Sequence, residues 1–308
     1  MILLFQIKNS WGKLYFYNEF FKNVKMKKIL CSSILLLVLL VAKAQDKTIR
    51  LIVRGDDMGY AHAGNEALIT CYKKGIEKSI EVIVPSPWFP EAVKLLEQNP
   101  TVDVGVHLAI TSEWSNIKWR PLTDCASIKD KDGYFFPMVY PNTNYPGQSI
   151  KENAWNIAHI EKEFRAQIEM ALKKIPRISH ISAHMGCTEI SPEVKAMAQK
   201  LAIEYKINID PEVLNVKYAG YDGPHKTAAE KVQGFINMLN KLQAGNTYLF
   251  VDHPGLNNAE LQAIHHIGYE NVAEDRQGVT DLFTNEKIKT LIKKKGIQLI
   301  SYKDLLKK

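Results

Sequence analysis

The sequence predicts an α/β fold: a (β/α) barrel, seven-stranded and so a distorted relative of the eight-stranded TIM arrangement. Three observations support this. Apolar strand-like runs alternate with helix-patterned segments, the signature of parallel strands joined by crossover helices. Seven such runs are found, at 48–54, 79–84, 101–107, 177–184, 206–210, 247–252 and 296–300, which fits a barrel short of eight strands better than an open sheet. Four strand ends carry an acid or a histidine: IRLIVRGDD ends at Asp56 and Asp57, VDVGVHL carries His107, ISHISAH carries His184, and TYLFVDHPG carries His253. Polar caps gathered at strand ends are where barrels of this kind place their chemistry.

The chain has 308 residues, and the first 44 are expected to stand apart from the fold. From Met26, Lys27 and Lys28 precede an apolar run over Ile34–Val41, followed by Ala42-Lys43-Ala44. This is the charged, apolar and small-residue order of a secretory signal peptide, with cleavage expected after Ala44. The run falls short of the ~20 apolar residues of a comfortable membrane span. The expected mature protein is a single domain over 45–308, periplasmic or secreted, with no stable membrane insertion after processing.

The leader also carries most of the charge imbalance. It holds seven lysines and one glutamate, leaving 33 basic residues against 32 acidic ones in the remainder. A near-neutral body gives no electrostatic reason to expect a nucleic-acid partner. Cys71, Cys125 and Cys187 are odd in number and widely spaced, so buried free thiols are expected rather than a disulfide framework.

The elements follow in order. After the first strand, residues 61–75 read as a helix with Lys73 and Lys74 in its last turn and Gly75 as its stop. Residues 89–98 form a second, short helix ended by Asn99-Pro100. Across 150–174, Ile157, Ile160, Phe164, Ile168 and Leu172 recur at helical spacing. Ser191-Pro192-Glu193 starts another helix, with a cap, a proline at the first position and an acid near the positive end. Residues 111–149 have no period, and a loop of that length is usually functional or mobile.

Each strand-end residue alone is ambiguous. Asp56 and Asp57 are neighbours, so on an extended strand they face opposite sides, and Gly-Asp-Asp-Met-Gly also reads as a turn. Asp103, Gly105 and His107 share one strand face, opposite Val102, Val104 and Val106. His180 and His184 share parity but lie ~13 Å apart along a strand. His184, at the end, is the better ligand, and His180 packs or supports. Asp252 and His253 face apart on a regular strand, so their contact is not assumed. Together, a carboxylate and two imidazoles suit a divalent ion, leaving an acid and a histidine for proton transfer.

These segments resemble the YdjC-like carbohydrate deacetylases, the family of chitooligosaccharide deacetylases. The resemblance runs from about residue 50 to 303. It rests on Asp56-Asp57-Met58-Gly59 with Asn65 and Gly75, Gly105-Val106-His107-Leu108 with Pro121-Leu122 and Gly133, and His180-Ile181-Ser182-Ala183-His184. Near the C-terminus it rests on His253-Pro254-Gly255, Arg276 and Ser301-Tyr302. It departs at Met185-Gly186-Cys187, where the family often has further histidines, and at Asp252, where it often has cysteine.

The resemblance implies one divalent ion, magnesium or zinc, held by Asp57, His107 and His184. Asp56 then resembles the base acting on the attacking water, and His253 the acid for the leaving amine. The expected partner is an N-acetylated saccharide, and a homo-oligomer is possible. Trp88, Trp114, Trp119 and Arg276 are the candidate substrate contacts. Two rival readings stay open: an exported carbohydrate-binding protein on an inactive barrel, and a metal-dependent hydrolase of another amide or ester.

Overall fold

The computed structural model describes residues 47–307. The expected leader over 1–44 lies outside the described residues. Seven strands form one curled parallel sheet: β1 (Arg50–Met58), β2 (Ser79–Val82), β3 (Asp103–Leu108), β4 (His180–Ala183), β5 (Lys217–Tyr218), β6 (Thr247–Asp252) and β7 (Gln298–Leu299). Their order is β4-β3-β2-β1-β6-β5, with β7 pairing to the start of β1. Every strand pair is parallel. Among the described residues no pairing joins β4 to β5, so the barrel wall is a curled sheet with an open seam.

The crossovers are α1 (His62–Lys74), α2 (Phe89–Glu97), α3 (Ile157–Lys174), α4 (Pro192–Glu204), α5 (Ala228–Lys241), α6 (Ala259–Gln262), α7 (Val272–Phe283) and α8 (Glu286–Lys294). The helices expected after β1, after β2 and at Ser191-Pro192 are present. Ser191 caps α4 by accepting from Val194 N. The long amphipathic segment becomes α3 after a separate short turn over Ile150–Glu152. One strand was misplaced: 206–210 is not extended sheet, and the edge strand is the two-residue β5 instead. A two-residue strand exposed on both sides carries no period to detect.

Strand alternation sorts the side chains. Leu51 and Val53 of β1 pack outward with Phe235, Phe250 and Phe283, while Ile52 faces Leu249, Ile300 and Tyr302. The other face carries polar side chains along its length, from Asp103 and His180 at the strand starts through Arg54, Glu81 and Ser182 to Asp56, His107 and His184 toward the carboxyl ends. Cys71, Cys125 and Cys187 are buried free thiols. The long loop 111–149 is packed rather than loose. Buried Glu163 of α3 accepts from the Leu122 and Thr123 amides at 3.0 Å each, and Trp114, Trp119, Phe135 and Val139 are buried beneath it.

Candidate active site

The adjacent aspartates do not simply point apart. The β1–β2 register shifts between Gly55 and Met58, and Asp57 adopts a positive φ of 71°, a conformation that non-glycine residues seldom take. This bulge ends the alternation expected of a regular strand, and both carboxylates turn toward His107. Its Nε2 lies 3.4 Å from Asp57 Oδ1 and 3.8 Å from Asp56 Oδ2.

Each aspartate is held by its own guanidinium. Arg54, two residues before Asp56 and on the same strand face, donates from Nε and Nη2 to Oδ1 and Oδ2 at 2.7 and 2.8 Å. Its Nη1 donates to Tyr302 Oη at 2.8 Å. Arg276 of α7 donates from Nη2 to Asp57 Oδ2 at 2.9 Å and lies over the rings of Tyr60 and Trp114. Burial opposes the Asp57 charge, but the neighbouring His253, His184 and Arg276 hold its carboxyl well below the usual carboxylate range.

With Oδ2 taken by Arg276, Oδ1 of Asp57 faces both imidazoles: His107 Nε2 at 3.4 Å and His184 Nδ1 at 3.1 Å. One ligand atom from each of the three residues lies within 4.8 Å of the others, and all three residues are buried. Ligand atoms about 2.1 Å from a shared ion stand roughly 3.0–3.4 Å apart, so this donor set fits a divalent cation. His184 is also 3.1 Å from Glu113 through Nε2, a short contact but poorly aligned for a hydrogen bond. Burial pulls the His184 imidazolium down, yet Glu113 and Asp57 lift it to about 10.

His253 stands across the cavity, 40% exposed, with Nε2 3.9 Å from Asp57 Oδ2 and Nδ1 3.6 Å from Asp252 Oδ1. The strand ends here, and Asp252 and His253 do meet. Tyr221 Oη donates to Asp252 Oδ2 at 2.5 Å and the His253 amide to Oδ1 at 2.9 Å. Burial lowers the His253 imidazolium, but Asp57 and Asp252 raise it above its ordinary value. The resulting cavity, about 490 Å³, is lined by Asp56, Asp57, His107, Glu113, His184 and His253, with Met185, His266, Tyr269 and Arg276 around them.

The tryptophan candidates fall elsewhere. Trp114 and Trp119 are 1% and 3% exposed, so neither has an open ring face for a sugar. Trp114 underlies Arg276, and Trp119 packs 6.4 Å from the His184 ring. Trp88 is partly exposed against His62 and does not line the cavity. Arg276 lines the cavity and bonds Asp57 through Nη2 alone, while its Nε and Nη1 have no hydrogen-bond partner among the described residues. Sequence reasoning missed Arg54, Glu81, Glu113 and Tyr221. Arg54 was findable by its i,i+2 parity with Asp56, whereas Glu113 lies in a segment without period.

The family model described as YdjC-like protein matches residues 50–294. The chain belongs to the YdjC-like family. Among curated YdjC-like relatives, the "Carbohydrate deacetylase 2" of Listeria innocua serovar 6a is 25% identical, covering 84% of this chain and 100% of its own length. The "Carbohydrate deacetylase" of Enterococcus faecalis (strain V583) is 24% identical, covering 83% and 98%. A crystal structure from Enterococcus faecalis V583, of a protein provisionally named for cellobiose-phosphate cleavage, has the same fold. Its TM-score is 0.65 at 22% identity, with 84% of this chain and 99% of that one covered.

Proposed function

We propose that this YdjC-like protein is a metal-dependent hydrolase that removes N-acetyl groups from an amino-sugar oligosaccharide or polysaccharide. The observation that carries the reading is the placement of Asp57, His107 and His184 around one point, between the carboxylate of Asp56 and the imidazole of His253. The curated relatives named as carbohydrate deacetylases, matched over nearly their full length, support the substrate class.

Asp57, His107 and His184 would hold the ion. The chemistry a bound divalent cation supplies there is polarisation of the amide carbonyl and a nucleophilic water at neutral pH. Asp56, oriented by two hydrogen bonds from Arg54, receives the proton of the attacking water. His253, on the far side of the cavity, donates a proton from Nε2 to the leaving nitrogen, which an amine requires and which its raised affinity for protons favours. Asp252 and Tyr221 keep its Nδ1 edge directed. A saccharide-binding protein has no use for this second charge-paired imidazole, and that weighs against the inactive-barrel reading.

The decisive experiment is acetate release from a panel of N-acetylated saccharides, with and without EDTA and metal add-back. EDTA-sensitive release supports the assignment; cleavage of only esters or other amides moves it to a different hydrolase. The same reading places the protein outside the cytoplasm. Its support is Lys27-Lys28, the apolar run and Ala42-Lys43-Ala44, and an N-terminus near Gln45 in the mature protein, by mass spectrometry, is the expected result.

A further inference from the structure

We propose that two buried carboxylates, Glu81 and Glu113, fix the ligand imidazoles in opposite tautomers, so that His107 offers Nε2 and His184 offers Nδ1 to the same cation. The inference rests on the metal reading above and adds which atom of each ring binds.

For His107 the logic is a count of protons. Its Nδ1 lies 2.7 Å from Ser182 Oγ, and the Ser182 hydroxyl donates to Glu81 Oε2. A hydroxyl has one proton to give, so toward His107 it accepts, and Nδ1 carries the hydrogen. The lone pair of the neutral ring is then on Nε2, the atom facing Asp57 Oδ1. Glu81 is itself held in place: it is fully buried, and its other oxygen lies 2.6 Å from His180 Nε2.

For His184 the two ring nitrogens face different acids. Nε2 faces Glu113 Oε2 and Nδ1 faces Asp57 Oδ1, each at 3.1 Å. A carboxylate only accepts, so one nitrogen keeps its proton and the other exchanges it for the ion. Asp57 Oδ1 is the point shared with His107, whereas Glu113 touches His184 and Arg276. The ion therefore belongs on the Nδ1 side, which leaves Nε2–H facing Glu113 Oε2 at 3.1 Å, a contact that a small rotation of the Glu113 carboxylate would align. A carboxylate holding the distal N–H of a ligating histidine is a general device for fixing its tautomer. The His107 ring on β3 is served through Ser182 of β4, and the His184 ring after β4 by the loop residue Glu113, so the two supports are separate residues.

The test uses cobalt(II) with the full mature chain, without substrate. A crystal structure of the cobalt complex should show Nε2 of His107 and Nδ1 of His184 bound to the metal. Calorimetry should find binding weakened about 10–100-fold in Ser182→Ala and in Glu113→Ala, with Ser182→Thr and Glu113→Gln recovering much of it because each restores an acceptor. Thermal melts of the metal-free variants confirm that they fold. Ligation through Nε2 of His184, or undiminished affinity in folded Glu113→Ala, overturns the tautomer assignment while leaving the deacetylase reading intact. No cobalt, zinc or magnesium binding by the wild type overturns both.

Discussion

Gly105 is predicted to be irreplaceable even by alanine, for a reason visible across three strands. Glu81, Gly105 and His180 sit in one row, register partners on β2, β3 and β4. The Glu81–His180 contact of 2.6 Å therefore crosses over Gly105, and both partners are fully buried. A methyl at Gly105 would stand 2.5 Å from His180 Nε2 and closer still to Glu81 Oε2. Neither can swing away cheaply, since Ser182 holds Glu81 and His180 is stacked at 3.6 Å on Tyr302. Separating a buried pair typically costs about 3–5 kcal/mol, and overpacking alone about 1–3 kcal/mol. Gly105→Ala should thus lose about 3 kcal/mol or more, lowering the melting temperature by roughly 10 °C. Urea unfolding in EDTA, followed by circular dichroism, measures this without metal linkage. The loss should shrink in a Glu81→Ala background, where the nearer clash is gone. A Gly105→Ala protein within about 1 kcal/mol of wild type would refute the crossing-pair argument.

Three further outcomes follow from the site. Asp56→Asn and His253→Ala should retain the metal but lose on the order of 10²–10⁴-fold in turnover, whereas His107→Ala should lose metal as well; elemental analysis beside kinetics separates the classes. Asp252→Asn should move the alkaline limb of the pH–rate profile to lower pH. On the proposed mechanism His253 works protonated, its affinity for protons is raised above the ordinary imidazole value, and activity would be lost as pH climbs through it; an unmoved limb would dissociate Asp252 from the acid. Glu77 is fully buried, and neither oxygen has a partner among the described residues. Burial first, and Asp56 second, push its carboxyl well above the usual range, so it weakens the fold increasingly as pH rises above the unfolded value of ~4.3. Glu77→Leu should raise the urea midpoint at pH 7, and by more at pH 8 than at pH 5.

Strand ends were the legible part of this site because a polar cap on an apolar run is a one-dimensional signal. Asp56, Asp57, His107, His184 and His253 all announce themselves that way, and all five line one cavity. The helices with strong stops, such as the one closed by Gly75, were equally readable. Relations between strands were not. That Glu81 meets His180 over Gly105 depends on register, which no local pattern encodes. The bulge at Asp57 was missed for a related reason: Gly-Asp-Asp-Met-Gly permits both an extended end and a turn, and the choice is made by pairing with β2. The burial of Trp114 and Trp119 was not legible, because aromatic residues in an aperiodic segment suit a sugar platform and a loop's buried underside equally well.

The bulge and the two arginines together explain how neighbouring carboxylates come to serve different ends. Turned toward one imidazole, Asp56 and Asp57 would repel each other. Arg54 closes both oxygens of Asp56 in a paired hydrogen bond, leaving a lone pair free toward the cavity rather than a rotatable side chain. Arg276 takes only one oxygen of Asp57 and so directs the other at His107 and His184. On the proposed mechanism, the difference between a proton acceptor and a ligand would be set by how each carboxylate is gripped. Both grips come from residues outside the Asp-Asp motif: one two positions upstream on the same strand face, the other 219 positions away on α7. The motif supplies the charges, and the fold sets how each is held.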